Sequence, residues 1–379
     1  MRILLVGEFS RLHNSLKEGL LKLGHQVVLV SNGDGFKNYP SDYSNRAFWC
    51  ESKIGNIPRQ LIYRLTQFDI SKIERGIRFY FLLKKLKGYD CVQLINEAPI
   101  QTTAKLELYL LKKLFTQNQN FFLLCSGVDH YTLNHMLEKK ERYSIMNPYF
   151  EGTKEIKEQY KWMFDFNSKT HLKIHQFLAK NVTGIIASDL DYVNPLKNHP
   201  KFLGMIPNPI IISNHNFIEN PIQGKIVIFL GINLGNSYSK GIPFFEKALE
   251  LIKQKYVDKV EVIVTRNIPY QDYIKLFNKA HIVLDQIYAY DQGYNALEAM
   301  AKGKVVFTGA EKEFEDYYQL SKKVAVNALP DVDYLVTELS FLIENPNEID
   351  AIGNRAKAFI KKKHDYIKVA EKYLNVWEK

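Results

Sequence analysis

Short, continuous apolar runs recur along the chain, separated by longer stretches in which apolar residues return at helical spacing. Runs rich in Val, Ile and Leu predict strands buried on both faces, and the stretches between them predict the helices that cover those faces. The first unit is a strand at 2–6, a turn at Gly7, a helix at 12–23 closed by Gly24, and a strand at 27–30. Further strands are expected at 89–96, 121–126, 183–187, 202–206, 225–230, 260–264, 281–284 and 304–308. Helices are expected at 59–87, with a break near Gly76, and at 102–115, 171–180, 242–255, 294–302 and most of 330–379. The segment 31–58, with Gly33, Gly35 and Pro40, reads as a loop. The polar and aromatic segment 132–169 reads as helices and loops. Strand and helix in steady alternation predict an α/β chain with Rossmann-like parallel sheets, where ligands sit beyond the carboxyl ends of the strands.

The unit from 280 to 309, AHIVLDQIYAYDQGYNALEAMAKGKVVFTG, shows how a site is built on this pattern. Its first strand leads into a polar, aromatic loop that ends at Gly293. A helix of strong formers follows, from Ala296 through Met300, and Gly303 stops it before the next strand. Gly293 lets the backbone approach a ligand closely. The amides of Tyr294 and Asn295 are unpaired donors at a positive helix end, suited to a phosphate or sugar oxygen. Glu298 lies one turn inside, where a carboxylate would accept two hydroxyl hydrogen bonds, as a ribose diol offers. The alternative is a glutamate on a solvated helix face.

GYNALEAMAKGKVV resembles the signature of the large retaining glycosyltransferase family 4, of GT-B fold. The resemblance implies that Glu298 is the second of the family's two motif glutamates and holds the ribose of a nucleotide-sugar donor, with Gly293 matching a family glycine. The first glutamate falls on Tyr290, and Asp291 beside it is a substitute. Lys304-Val305 stands where the family has a residue and a proline. The opening MRILLVG is similar to the start of many GT-B chains, which implies that Gly7 and Ser10 line the cleft; a plain tight turn is the alternative. GINLGNSYSKG resembles the family's G-R, variable loop and K-G: Gly231 and Lys240 match, and Ile232 replaces the arginine. Lys240 is one candidate to hold the donor diphosphate. Arg266, at the carboxyl end of the strand at 260–264, is another, or else a solvated surface arginine. His130 follows the strand at 121–126. It is a candidate to contact the donor sugar or to assist acid–base work, the alternative being a surface histidine. His130 and Asp291 are thus the catalytic candidates.

The segment IPNPI resembles the family's crossover between domains, and its two prolines stiffen an extended link. The boundary is placed at 206–222. Two Rossmann-like domains facing a cleft are therefore expected: an acceptor-side domain, 1–206, and a donor-binding domain, 207–360. The resemblance implies that the C-terminal helix, 361–379, returns to the first.

At 379 residues the chain can build two or three domains with cores of their own. A hydrophobic share of 46% against 24% charged excludes a disordered chain. No apolar run approaches the roughly 20 residues that span a bilayer, and 3–6 is too short for a signal-peptide core, so a cytoplasmic protein is expected. Cys50, Cys91 and Cys125 lack zinc spacing and read as reduced thiols. The absence of G-x-G-x-x-G and of G-K-[ST] weighs against dinucleotide and Walker-type sites. A net charge of +10 fits an anionic partner, and no nucleic-acid motif accompanies it. The basic residues of 59–87 alternate with apolar ones at helical spacing. That stretch is either a core helix pair with a solvated basic face or a segment that docks on anionic lipid.

The resemblance implies sugar transfer from a nucleotide-sugar donor to a hydroxyl acceptor, a glycan or a lipid-linked molecule. It implies retention at the anomeric carbon, no metal and no cofactor. The setting it implies is bacterial cell-surface polysaccharide or glycolipid synthesis, peripheral at the inner face of the plasma membrane. Tyr290 and Ile232 keep two rivals open: an enzyme with another activated donor, and a catalytically silent binding or scaffold subunit.

Overall fold

The computed structural model describes residues 1–212 and 221–378. The first sheet is built from β1 (Arg2–Val6), β2 (Gln26–Ser31), β3 (Tyr43–Ser44), β4 (Cys91–Leu94), β5 (Asn120–Cys125), β6 (Gly184–Ala187) and β7 (Phe202–Met205). Its order is β3-β2-β1-β4-β5-β6-β7, all parallel. The second sheet holds β8 (Ile226–Ile232), β9 (Val260–Arg266), β10 (Ile282–Leu284), β11 (Val305–Thr308) and β12 (Val326–Asn327). Its order is β12-β11-β10-β8-β9, again parallel. The architecture is two Rossmann-like α/β units, as the apolar runs predict.

Both faces of each sheet are covered. Leu4, Val6, Val92 and Leu94 pack on one side of the first sheet, with Leu110 and Leu114 of the helix Ala104–Phe115. Ile3, Leu5, Phe122 and Leu124 point to the other side. That side is covered by Leu12, Leu16 and Leu20 and by Val369, Tyr373 and Trp377 of the last helix, Tyr366–Trp377. The last helix therefore belongs to the core of the first domain. Gly19 makes room for it, since an added Cβ would overlap the carbonyl oxygen of Tyr366. Residues 361–363, expected to travel with this helix, instead finish the helix Pro346–Lys363, whose Phe359 and Ile360 pack in the second domain.

The chain crosses between domains twice, and the crossings lie side by side. Ile210 donates its amide to His364 O at 2.7 Å and accepts from Tyr366 N at 3.2 Å. The His364 ring donates through Nδ1 to Asn208 O at 2.9 Å, fully buried, and burial holds its pKa down at about 4. Residues 213–220, part of the expected linker, lie outside the described residues.

Three local expectations change. The expected helix 59–87 is two helices, Asn56–Thr66 and Ser71–Leu82, and they part at 67–70, where Gln67 has φ +57°. Gly76 does not break its helix. It is buried where an added Cβ would overlap Leu106 and Thr102, so glycine is there for close helix packing. The loop expected at 31–58 contains β3, which is too short to show a period.

A seam joins the domains on one side. Asp191, after β6, accepts hydrogen bonds from the amides of Tyr290 at 3.0 Å and Asp291 at 3.4 Å. Asp291 accepts from Leu190 N at 3.2 Å. Arg142 lies 4.9 Å over the Tyr290 ring and bonds Glu311 at 3.0 Å and Glu313 at 2.8 Å, while the Tyr143 hydroxyl donates to Glu311. Asp189, Asp191 and Asp291 thus meet in the seam, facing Glu141, Tyr192, Tyr317 and Tyr318, and none has an ion pair among the described residues. Burial pushes Asp191 up to about 7 and Asp291 up to about 6, and raises Asp189 as well.

Each of these carboxyls binds its proton more tightly in the folded chain than in the unfolded one, where aspartate titrates near ~3.9. For Asp191 and Asp291 the stabilising contribution is whole below that value and is lost as pH rises through about 6 to 7. We predict that the melting temperature falls between about pH 5 and pH 8, and falls less steeply in Asp191→Asn. Glu8 and Glu107 titrate in the same direction in both proteins, so the difference in slope isolates the seam. Equal slopes would contradict this origin.

Candidate active site

The carboxyl ends of β1 and β10 bring together the two halves of the site. After β1, Gly7 has φ +87°, and a side chain there would collide with Ile95. Ser10 and Arg11 follow with φ +51° and +75°, a left-handed pair that non-glycine residues adopt at a strain of order 1–3 kcal/mol each. The turn is held from the next loop. Ser10 N donates to Asp34 Oδ2 at 2.9 Å, and Lys37 Nζ reaches Ser10 Oγ at 3.0 Å and Asp34 Oδ2 at 2.8 Å. Beneath it Glu8 is fully buried and accepts from His13 N, Asn14 N and Asn14 Nδ2, at 3.3, 2.8 and 2.7 Å. Burial pushes Glu8 up to about 8.

On the other side, the helix Tyr294–Ala301 starts from Gly293 with no side-chain cap, so its first-turn amides keep the donor capacity of a helix start. Gly293 has φ −71°, which any residue adopts, and an added Cβ would meet Gln286 Oε1 at 3.3 Å. The Tyr294 phenol turns away from this start. It accepts from Ser15 Oγ at 2.6 Å and donates to Pro209 O at 2.6 Å, tying the helix to the first domain and to the crossing. Asn295 is held between Tyr273, which donates to its Oδ1 at 3.0 Å, and Asp285, which accepts from its Nδ2 at 3.0 Å.

Glu298 is partly buried on the same helix. Burial raises its pKa, and the charges of Arg11, Lys302 and Lys37 oppose the rise. Its charge in turn helps to raise the hydroxyls of Tyr39 and Tyr270. The groups around it therefore come from both domains: Arg11, Lys37 and Tyr39 from the first, Tyr270 and Lys302 from the second.

The expected cations are placed differently. Lys240 forms an ion pair with the buried Asp285 at 2.9 Å, as Lys37 does with Asp34 at 2.8 Å. Arg266 pairs with Glu246 on the exposed outer side of β9. Gly231 is a packing glycine, since a Cβ there would press on the Tyr273 ring at 2.5 Å, and Ile232 is buried. Arg11 and Lys37 carried no motif; only their neighbourhood to Glu298 in three dimensions singles them out.

Both catalytic candidates have other employment. Asp291 is buried in the seam, where it accepts from Leu190 N and, at 2.8 Å, from Gln292 N. Tyr290 is likewise covered, by Arg142. His130 donates its amide to Glu97 at 3.1 Å. Its Nδ1 donates to Phe166 O at 3.2 Å, and its Nε2 accepts from Asn134 at 3.1 Å. Both ring nitrogens are thus spent within the first domain. Glu97, which sequence reading missed, is fully buried and accepts from His171 at 3.0 Å and His175 at 2.7 Å. Burial alone would raise it, but these hydrogen bonds hold it down at about 2.

Residues 240–375 match a family model described as glycosyl transferase-like. The sequence matches no curated protein. Among solved structures, the chain is similar over its whole length to sucrose-phosphate synthase from Thermosynechococcus elongatus, with 13% identity, 98% of that chain covered and a TM-score of 0.64. It is similar over its whole length to HepE of Anabaena, solved with UDP-glucose, with 12% identity, 99% of that chain covered and a TM-score of 0.59. A glycosyltransferase from Rickettsia africae aligns with 99% of this chain and 97% of its own, with 14% identity and a TM-score of 0.52. At these identities the structures establish the fold, two Rossmann-like domains in the GT-B arrangement.

Glu298→Ala is predicted to weaken nucleoside-diphosphate binding by about ten- to a hundredfold, the loss of a charged hydrogen-bond partner worth roughly 1.5–3 kcal/mol. Calorimetry with the diphosphate reads this directly, and unchanged affinity would leave Glu298 outside the site.

Proposed function

We propose that this GT-B chain is a glycosyltransferase that moves a sugar from a nucleotide-sugar donor to a hydroxyl of a glycan or lipid-linked acceptor, with retention at the anomeric carbon. The observation that carries the donor reading is the placement of Glu298 one turn inside an uncapped helix start, with Arg11 and Lys37 brought to it from the opposite domain. A carboxylate there accepts from the ribose hydroxyls. The helix amides and the two cations take the diphosphate, whose charge calls for both backbone donors and cationic side chains. Lys240, matched by Asp285, sets the position of Asn295 at the same helix start.

In the reaction the bond from the anomeric carbon to the diphosphate oxygen breaks and a bond to the acceptor oxygen forms. The acceptor's proton leaves with the departing diphosphate. The chain's part is electrostatic: it holds the leaving group as negative charge grows on it. No metal is assigned to this step. HepE, seen with UDP-glucose, makes uridine nucleotides the first donors to try. We place the reaction on the cytoplasmic side of a bacterial membrane, in cell-surface polysaccharide or glycolipid synthesis. None of the described helices is long and apolar enough to cross a membrane.

A second reading, a binding protein that keeps the fold without transfer, is favoured by one observation. Tyr290 stands at the first motif glutamate and lies under Arg142.

Incubation of the full chain with a panel of nucleotide sugars and sugar acceptors separates the two. The enzyme reading predicts release of nucleoside diphosphate from one donor class, and an anomeric proton coupling in the product that matches the donor. A product of the opposite configuration would overturn retention. Tight nucleotide binding with no release from any donor would favour the silent reading.

A further inference from the structure

Half of the large apolar side chains exposed among the described residues fall between residues 48 and 81. The helix Asn56–Thr66 has no buried residue at all. Ile57, Leu61 and Leu65, one turn apart along it, are 73, 59 and 77% exposed, and Ile54 just before it is 81% exposed. A helix normally exists in a folded chain because one face is buried, so this one presents an apolar stripe that the other described residues do not cover. Contiguous exposed apolar surface of this kind marks an interaction site.

The charges around the stripe indicate what covers it. Every acidic side chain of the segment is engaged internally. Asp69 holds Arg59 through two hydrogen bonds of 2.8 and 2.7 Å. Glu74 pairs with Arg78 at 2.7 Å and Glu51 with Arg46 at 2.6 Å. Lys53, Arg64 and Lys84 are exposed and have no ion pair among the described residues. The surface is therefore apolar with surplus positive charge. An isologous contact with a second copy would set this positive patch against an identical positive patch, which disfavours a dimer through this face. Apolar stripe and surplus cations together match a surface that is anionic outside and apolar beneath.

The patch also lies at the right end of the domain. The helix Ser71–Leu82 starts where Thr102 Oγ1 donates to Lys72 O at 2.6 Å, in the segment that follows the carboxyl end of β4. Trp49 and Cys50 donate their amides to Glu74 near the same end, at 3.0 and 2.8 Å. The carboxyl ends of the first sheet are also the end that carries Gly7, Ser10 and Arg11.

We propose that residues 48–82 form a docking surface for anionic phospholipid, seated beside the cleft so that an acceptor held in the lipid surface reaches it. Only the acceptor's identity rests on the transferase reading; lipid docking is measured without nucleotide or sugar.

The test is flotation of the full chain with phosphatidylcholine vesicles, with and without phosphatidylglycerol. Binding is expected with the anionic vesicles and should fade at high salt, because basic residues near such a surface are screened within a Debye length. The variant Ile57→Ser/Leu61→Ser/Leu65→Ser should bind the anionic vesicles at least about tenfold more weakly. These side chains are exposed, so circular dichroism and nucleotide affinity should match the wild type. Lys53→Gln/Arg64→Gln should weaken the anionic binding and leave the fold intact. Absence of binding to either vesicle would overturn the proposal, as would equal binding to both. So would wild-type binding by the triple serine variant, or a concentration-dependent dimer that the variant abolishes.

Discussion

The two crossings between the domains are hydrogen-bonded to each other, and the rest of the cleft depends on that pairing. Ile210 bonds with the backbone of His364 and Tyr366, and the buried His364 ring holds Asn208. A single extended link would leave the sheets free to take many orientations. Two links that exchange backbone hydrogen bonds in a buried setting fix where one domain begins relative to the other. Tyr294 extends the constraint into the site, since its hydroxyl bridges Ser15 of the first domain and Pro209 of the crossing. The helix that carries Glu298 is therefore positioned by the same contacts that join the domains.

From this frame the cleft acquires two unlike sides. At the seam, backbone amides of 290 and 291 meet Asp191, and Arg142 covers Tyr290, so this side is closed by contact. Three buried carboxyls share it without an ion pair of their own among the described residues, which makes it responsive to protonation. At the other side the charges of Arg11, Lys37 and Lys302 bear on Glu298. The left-handed Ser10 and Arg11 belong to that second side, and strain of this kind persists where surrounding structure enforces it, as Asp34 and Lys37 do here.

The strands were legible because parallel strands buried on both faces are written as plain apolar runs. β3 and β12 were not, because two residues carry no period. The motif around Glu298 was legible because it is local, a strand end, a loop and a helix start within about twenty residues. The groups that surround Glu298 were not, since Arg11, Lys37 and Tyr39 reach it from another domain. His130 shows the same limit in reverse. Its place after a strand was legible, but its contacts with Glu97, Phe166 and His175, distant in sequence, were not. Gly76 misled because glycine reads as a helix breaker, whereas here it is the only residue small enough to fit beneath Leu106.

The proposed donor site holds a nucleoside diphosphate between the domains, by the helix start and Glu298 on one side and by the turn after β1 and the loop at 34–39 on the other. Amide hydrogen exchange of the full chain, with and without a saturating nucleoside diphosphate, tests it most directly. Slowed exchange is expected both at 293–298 and at 8–11 and 34–39. Protection confined to the second domain, or none at either place, would contradict it.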